Sequence, residues 1–71
     1  MVIKRRQVPA SGVSGYYLVY ILEEDGQEVE IGRTVWNDNN TLLRAVNTYE
    51  EGLLAGLKVF YDKQIEIIRE K

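Results

Sequence analysis

The dipeptide Asp25-Gly26 separates two segments of strand character, and it dictates which residues on either side face each other. Asp-Gly suits a two-residue type I′ turn, whose central residues both need positive φ. The preceding run, Tyr16-Tyr17-Leu18-Val19-Tyr20-Ile21-Leu22, is β-branched and aromatic, as strands prefer. With the two turn residues as the loop, Glu24 pairs with Gln27, Leu22 with Val29, Tyr20 with Ile31 and Tyr16 with Val35. This register gathers Tyr16, Leu18, Tyr20, Leu22, Val29, Ile31 and Val35 on one face, the core face by alternation. Arg33 then falls opposite Leu18, on that same face. A bulge at Gly32 turns Arg33 outward and brings Trp36 inward, and glycine in a strand is a common bulge site. The sequence leaves both registers open.

The other face of the hairpin carries Tyr17, Val19 and Ile21 beside Glu23, Glu28, Glu30 and Thr34. A solvated face is usually more polar, so these three residues need a cover. Either the N-terminal segment folds back over them or they form the contact surface for a protein partner, with the acidic hairpin tip nearby. In the N-terminal segment, Val2 to Val8 suits a short edge strand, ended by Pro9 and guarded by Lys4, Arg5 and Arg6. Residues 9–15, Pro9-Ala10-Ser11-Gly12-Val13-Ser14-Gly15, read as a loop.

After the hairpin, Asn37-Asp38-Asn39-Asn40-Thr41 is a run of helix N-cap residues. From there an apolar stripe keeps a helical period to the end of the sequence. Leu42, Leu43, Val46, Tyr49, Leu53, Leu54, Leu57, Phe60, Tyr61, Ile65, Ile67 and Ile68 lie within about 80° of one direction at 100° per residue. The phase is continuous through Gly52 and Gly56, which favours one helix from Thr41 to Arg69. Two competing endings are a helix stopped at Gly56 and followed by a strand, and two helices joined by a turn. The expected fold is α+β: a hairpin, or a three-stranded sheet if residues 1–14 add an edge strand, packed on a long amphipathic C-terminal helix. The chain is expected to form one small domain over 1–71. Its parts are a basic arm or edge strand (1–14), the hairpin (15–36) and a polar turn with the helix (37–71).

A helix of that length spans about 45 Å, while strands of about 7 residues span about 23 Å. One small sheet cannot cover the whole stripe. The stripe also fits a heptad, with Glu50 and Gln64 as polar entries at equivalent positions. A homodimer joined through Leu53, Leu57, Phe60, Ile67 and Ile68 is the expected consequence. The alternative is a helix that bends at Gly52–Gly56 and satisfies itself within one chain.

Composition narrows the chemistry. With no His and no Cys, the chain has no Cys/His zinc site, thiol nucleophile, Ser-His triad or disulfide. Ser11 and Ser14 have no histidine to activate them, and neither phosphate-loop pattern is present. Glu50 projects onto the apolar stripe, where a register-setting or snorkelling role outranks that of a buried acid. No catalytic residue, cofactor or metal is expected. Nine basic and 11 acidic residues give a net charge of -2, which argues against coating nucleic acid over the whole surface. Lys4, Arg5 and Arg6, with aromatic residues nearby, are the one basic cluster that could contact phosphates. No apolar run approaches the roughly 20 residues that cross a bilayer, and no secretory leader follows the basic N-terminus, so a cytoplasmic location is expected.

Gly15-Tyr16-Tyr17 followed by Glu30-Ile31-Gly32 resembles the paired motif of GIY-YIG nucleases over about 20 residues. In that family a helix carries an Arg and a later Glu binds a metal, and Arg44 would take the Arg position. Tyr16 stands where the family has Ile, and Glu30 stands where it has its second Tyr. The resemblance therefore implies at most a degenerate nuclease-like domain. The leading functional expectation is a non-enzymatic binding or regulatory module that acts through protein contacts, as small acidic chains from phages and mobile elements often do. Nucleic-acid binding through the basic arm is its rival.

Overall fold

A computed structural model describes residues 1–10, 15–37, 39 and 41–70. The elements run β1 (Val2–Pro9), β2 (Tyr16–Glu24), β3 (Gln27–Trp36), α1 (Leu43–Tyr61) and β4 (Glu66–Glu70). The four strands form one mixed sheet in the order β3-β2-β1-β4. β1 and β3 are antiparallel to β2, and β4 is parallel to β1. The fold is α+β as expected, with four strands where two or three were anticipated.

The hairpin forms at Asp25-Gly26, both with positive φ (52° and 79°), as a type I′ turn requires. Of the two registers, the bulged one is realised. Leu22 pairs with Val29 and Ile21 with Glu30, but Tyr20 pairs with Gly32, leaving Ile31 as the extra residue. Beyond the bulge, Val19 faces Arg33 and Tyr16 faces Trp36, so Arg33 turns away from the core and Trp36 turns toward it. The backbone at Gly32 lies against the Tyr49 hydroxyl of α1, where any β-carbon would collide.

Val2–Pro9 do not lie over the hairpin's outer face and do not form an edge strand, and residues 11–14 of the expected arm lie outside the described residues. β1 occupies an interior position, with its backbone bonded to β2 on one side and to β4 on the other. The long-helix expectation is also corrected. α1 runs in phase through Gly52 and Gly56, then stops at Tyr61, where Asp62 adopts a left-handed conformation (φ 53°, ψ 44°) and its N–H bonds to the Lys58 carbonyl at 2.8 Å. Aspartate tolerates this conformation better than most residues, and β-branched Ile65, Ile67 and Ile68 then gain more from the free edge of β1 than from another helical turn. Met1 and β4 are clamped together, since the Met1 amine donates to the Gln64 carbonyl (3.2 Å) and the Glu66 N–H donates to the Met1 carbonyl (3.2 Å).

The N-cap position of α1 falls outside the polar run. It is Leu42, with no side-chain capping bond, while Asn37 Nδ2 donates to Thr41 Oγ1 at 2.7 Å within the preceding turn. Asp38 and Asn40 lie outside the described residues, as do Ser11, Gly12, Val13 and Ser14.

The core lies between α1 and one face of the sheet. Ile3, Leu18, Tyr20, Leu22 and Val46 are buried, and Ile31, Trp36, Tyr49, Leu53, Leu57, Tyr61, Ile65 and Ile67 pack around them. Replacing Gly32 by Ala is expected to destabilise the fold by about 1–3 kcal/mol, because the rigid Tyr49 ring must give way. Denaturant midpoints should show partial recovery in Gly32→Ala/Tyr49→Phe, where the colliding hydroxyl is gone. Equal stability of the two variants would disprove this account of the contact.

Candidate functional site

Strand alternation sorts the N-terminal basic cluster onto opposite faces. Lys4 and Arg6 emerge on the face away from the helix, level with Ile21 and Val19 of β2, whereas Arg5 emerges on the helix face, level with Tyr20. Each of the three has a carboxylate partner. Lys4 contacts Glu23 at 2.6 Å and Glu28 at 3.3 Å, Arg6 contacts Glu70 at 2.6 Å and Glu28 at 3.5 Å, and Arg5 contacts Glu50 at 2.6 Å. The three cations therefore do not form one basic patch.

On the outer face these pairs form a lattice across all four strands. Arg33 joins it, contacting Glu30 at 2.7 Å, with its guanidinium carbon 5.0 Å from the Tyr17 ring centroid. Beneath the lattice lie Val19 and Ile21, only 6% and 5% exposed although the described helix packs on the opposite face. The aliphatic stems of Lys4, Arg6, Arg33 and their glutamate partners supply the cover. Of the expected partner-binding residues, Val19 and Ile21 are thus already covered, and Tyr17 is half-buried under Arg33. The hydrogen-bonded guanidiniums of Arg33 and Arg6 hold the Glu30 and Glu70 carboxyls below their ordinary range.

On the inner face Glu50 joins three elements. Its Oε2 accepts from Arg5 Nη1 of β1 and from the Tyr20 hydroxyl of β2, both at 2.6 Å. Burial, reinforced by the neighbouring carboxylate, pushes the Tyr20 phenol well above its ordinary value. The polar residue on the apolar stripe is therefore a strut between helix and sheet.

Of the expected dimer residues, Leu53 and Leu57 pack on the core, as does Ile67 of β4. Ile68 lies on the outer sheet face, level with Lys4. Phe60 keeps the phase of the buried stripe while being 79% exposed, on the opposite side of the stripe from Tyr61, which packs on the core. Its neighbour Val59 is 85% exposed. α1 runs from the Trp36 end of the sheet toward the hairpin turn, so Phe60 emerges at the turn end, where inner-face Val29 is also exposed. Glu24 and Asp25 stand on the turn, and Lys58 and Lys63 stand at the helix end; among the described residues none of the four is in an ion pair. Sequence reasoning anticipated an uncovered Phe60 but missed Val59, which is out of phase, and Val29, which it placed in the core.

The residues of the nuclease resemblance do not converge. Tyr17 is on the outer face, whereas Arg44 is on the helix that covers the inner one. Among the described residues no group of three His, Cys, Asp or Glu could hold a metal ion, and no helix is long and apolar enough to cross a membrane. Comparison with protein-family models, with curated proteins and with solved structures gave no match to this chain.

Two measurements test this electrostatic account. Glu50→Ala should cost about 2 kcal/mol in denaturant unfolding, since it leaves a partly buried guanidinium and a buried hydroxyl without their acceptor. Removing Lys4, whose ion pairs are solvent-screened, should cost distinctly less. The second concerns pH. The depressed Glu30 and Glu70 carboxyls stabilise the fold above their ordinary range, and this contribution is lost as pH falls through their lowered values. The raised Tyr20 phenol has the opposite sign, so its contribution is lost as pH rises above about 10. A thermal midpoint that stays flat from pH 6 to pH 3 in low salt would contradict the outer-face assignment.

Proposed function

We propose that the chain is a non-enzymatic protein-binding module that associates with a second copy of itself through the turn end of its inner face. The observation that carries this is Phe60, a stripe residue left 79% exposed beside Val59 at 85%. Large adjoining apolar side chains at a free surface mark an interface more often than they mark solvent.

The surroundings favour a copy of the same chain. Around the exposed Val29, Val59 and Phe60, the hairpin carries two acids, Glu24 and Asp25, and the segment after the helix carries Lys63. A two-fold contact through this centre would let the acids of each copy meet Lys63 of the other, the self-complementarity that an isologous contact needs. The small size of the chain supports the same reading, since one core of this size without disulfides gains from a partner. The interface differs from the one expected from a long helix. Leu53, Leu57 and Ile67 contribute to the core of each copy, and Ile68 lies on the other face of the sheet.

Sedimentation equilibrium should give a dimer mass at micromolar concentration and a monomer mass for Phe60→Asp. Lys63→Glu should weaken the dimer, and the added change Glu24→Lys should restore it in part. The thermal midpoint should rise with protein concentration. A monomer mass at several hundred micromolar would overturn the proposal.

A further inference from the structure

The inner face has a second uncovered region, at the end opposite Phe60. There α1 does not reach across to β4, and a cleft of about 280 Å³ opens between the helix and the sheet and continues into a shallower depression of about 520 Å³. Arg5, Gln7, Leu18 and Arg69 border both parts. Val46 and Trp36 wall the deeper part, and Tyr16 the shallower one. Tyr16 and Trp36 are cross-strand partners, so their rings adjoin on one face.

The charges here are unbalanced. Arg5 and Arg69 are register partners in the parallel β1–β4 pair, which sets two guanidiniums side by side on the same face. Like charges so placed are unfavourable. Glu50 answers one of them, contacting Arg5 through Nη1. Arg69 has no ion pair among the described residues, and Glu70, which also borders the depression, is held by Arg6 on the outer face. Counted over the described residues, the cleft therefore has a net charge of +1 in a chain whose net charge is -2. Arg5 keeps further N–H donors beyond Nη1, and the two planar guanidiniums suit a group that accepts two parallel hydrogen bonds.

We propose that this cleft binds a small planar aromatic carboxylate. The carboxylate bridges Arg69 and the free edge of Arg5, which supplies the single negative charge that the site lacks. The ring lies on the floor formed by Leu18 and Val46, against Trp36. Gln7 and Asn47, at the two sides of the cleft, offer amides to polar atoms on the ring edge. A monoanion is favoured over a polyanion because one charge balances the cleft, while the hairpin turn and outer face present carboxylates that repel a nucleic-acid backbone. The cleft is remote from Phe60, so this site does not depend on self-association.

Trp36 is the only tryptophan, so its indole N–H resonance reports directly on the cleft. Titration of the full chain with 2-naphthoate should move that resonance saturably. Arg69→Gln should weaken the apparent affinity about tenfold, as loss of a charge-assisted contact implies, and Arg69→Lys should recover only part of it. Phe60→Asp should bind 2-naphthoate as the parent does. The same ring without charge, 2-naphthalenemethanol, should cause little shift. Unchanged binding in Arg69→Gln, an equal response to the alcohol, or tighter binding of adenosine monophosphate or a single-stranded oligonucleotide than of naphthoate would each overturn the proposal.

Discussion

The backbone of β1 is bonded on both edges, to β2 and to β4, and most of the architecture depends on that placement. An interior β1 brings Ile3 into the core. It sends Lys4 and Arg6 outward over Val19 and Ile21, and it sends Arg5 inward, within reach of the helix. It also leaves a free edge that recruits the end of the chain. The residues after Asp62 turn back along this edge because a parallel partner there satisfies backbone groups that solvent would otherwise have to satisfy. α1 serves this closure by carrying the chain from the Trp36 end of the sheet back to the hairpin turn, where β4 can start beside Met1.

The hairpin was legible in the sequence because its information is local. Asp25-Gly26 demands its turn, and the alternation on either side does the rest. The choice between registers rested on Arg33, since an unpaired arginine opposite Leu18 is costly and the bulge before Gly32 removes it. The in-phase run through Gly52 and Gly56 was also a sound guide, as α1 does pass through both. The ending was less legible. Ile65, just before β4, and Ile67 within it pack on the core, and the same residues continue the helical stripe. Over so few residues the two periods coincide. What decides between them is the edge of β1, more than 60 residues away in sequence, and no window of local sequence contains it.

The same non-local cause explains why the basic cluster suggested a surface patch. Read along the chain, Lys4, Arg5 and Arg6 are three adjacent cations. Read across the sheet, two of them form an alternating-sign lattice with Glu23, Glu28 and Glu70, and the third is tied to Glu50. Glu23, Glu28 and Glu30 of the hairpin lie where they can cover apolar surface through their stems and the lysine and arginine stems they hold. An open sheet face can then have Val19 and Ile21 almost fully buried with no second layer.

The two exposed regions of the inner face have one cause, the position of α1 along the sheet. The helix is about 28 Å long and the longer strands about 30 Å, so a centred helix would cover most of the inner face. Glu50 does not allow a shift. Its carboxylate must meet Arg5 and the Tyr20 hydroxyl together, and moving the helix by one turn, about 5.4 Å, would take it out of reach of both. Tyr49, against the glycine backbone of the bulge, fixes the same position from the β3 side. Held there, the helix leaves Phe60 exposed at the turn end while Tyr61 beside it packs on the core, and the opposite end keeps Tyr16, Gln7 and Arg69 uncovered. A partly buried carboxylate whose energetic role is to satisfy one guanidinium and one hydroxyl thereby determines which surfaces of the molecule stay open.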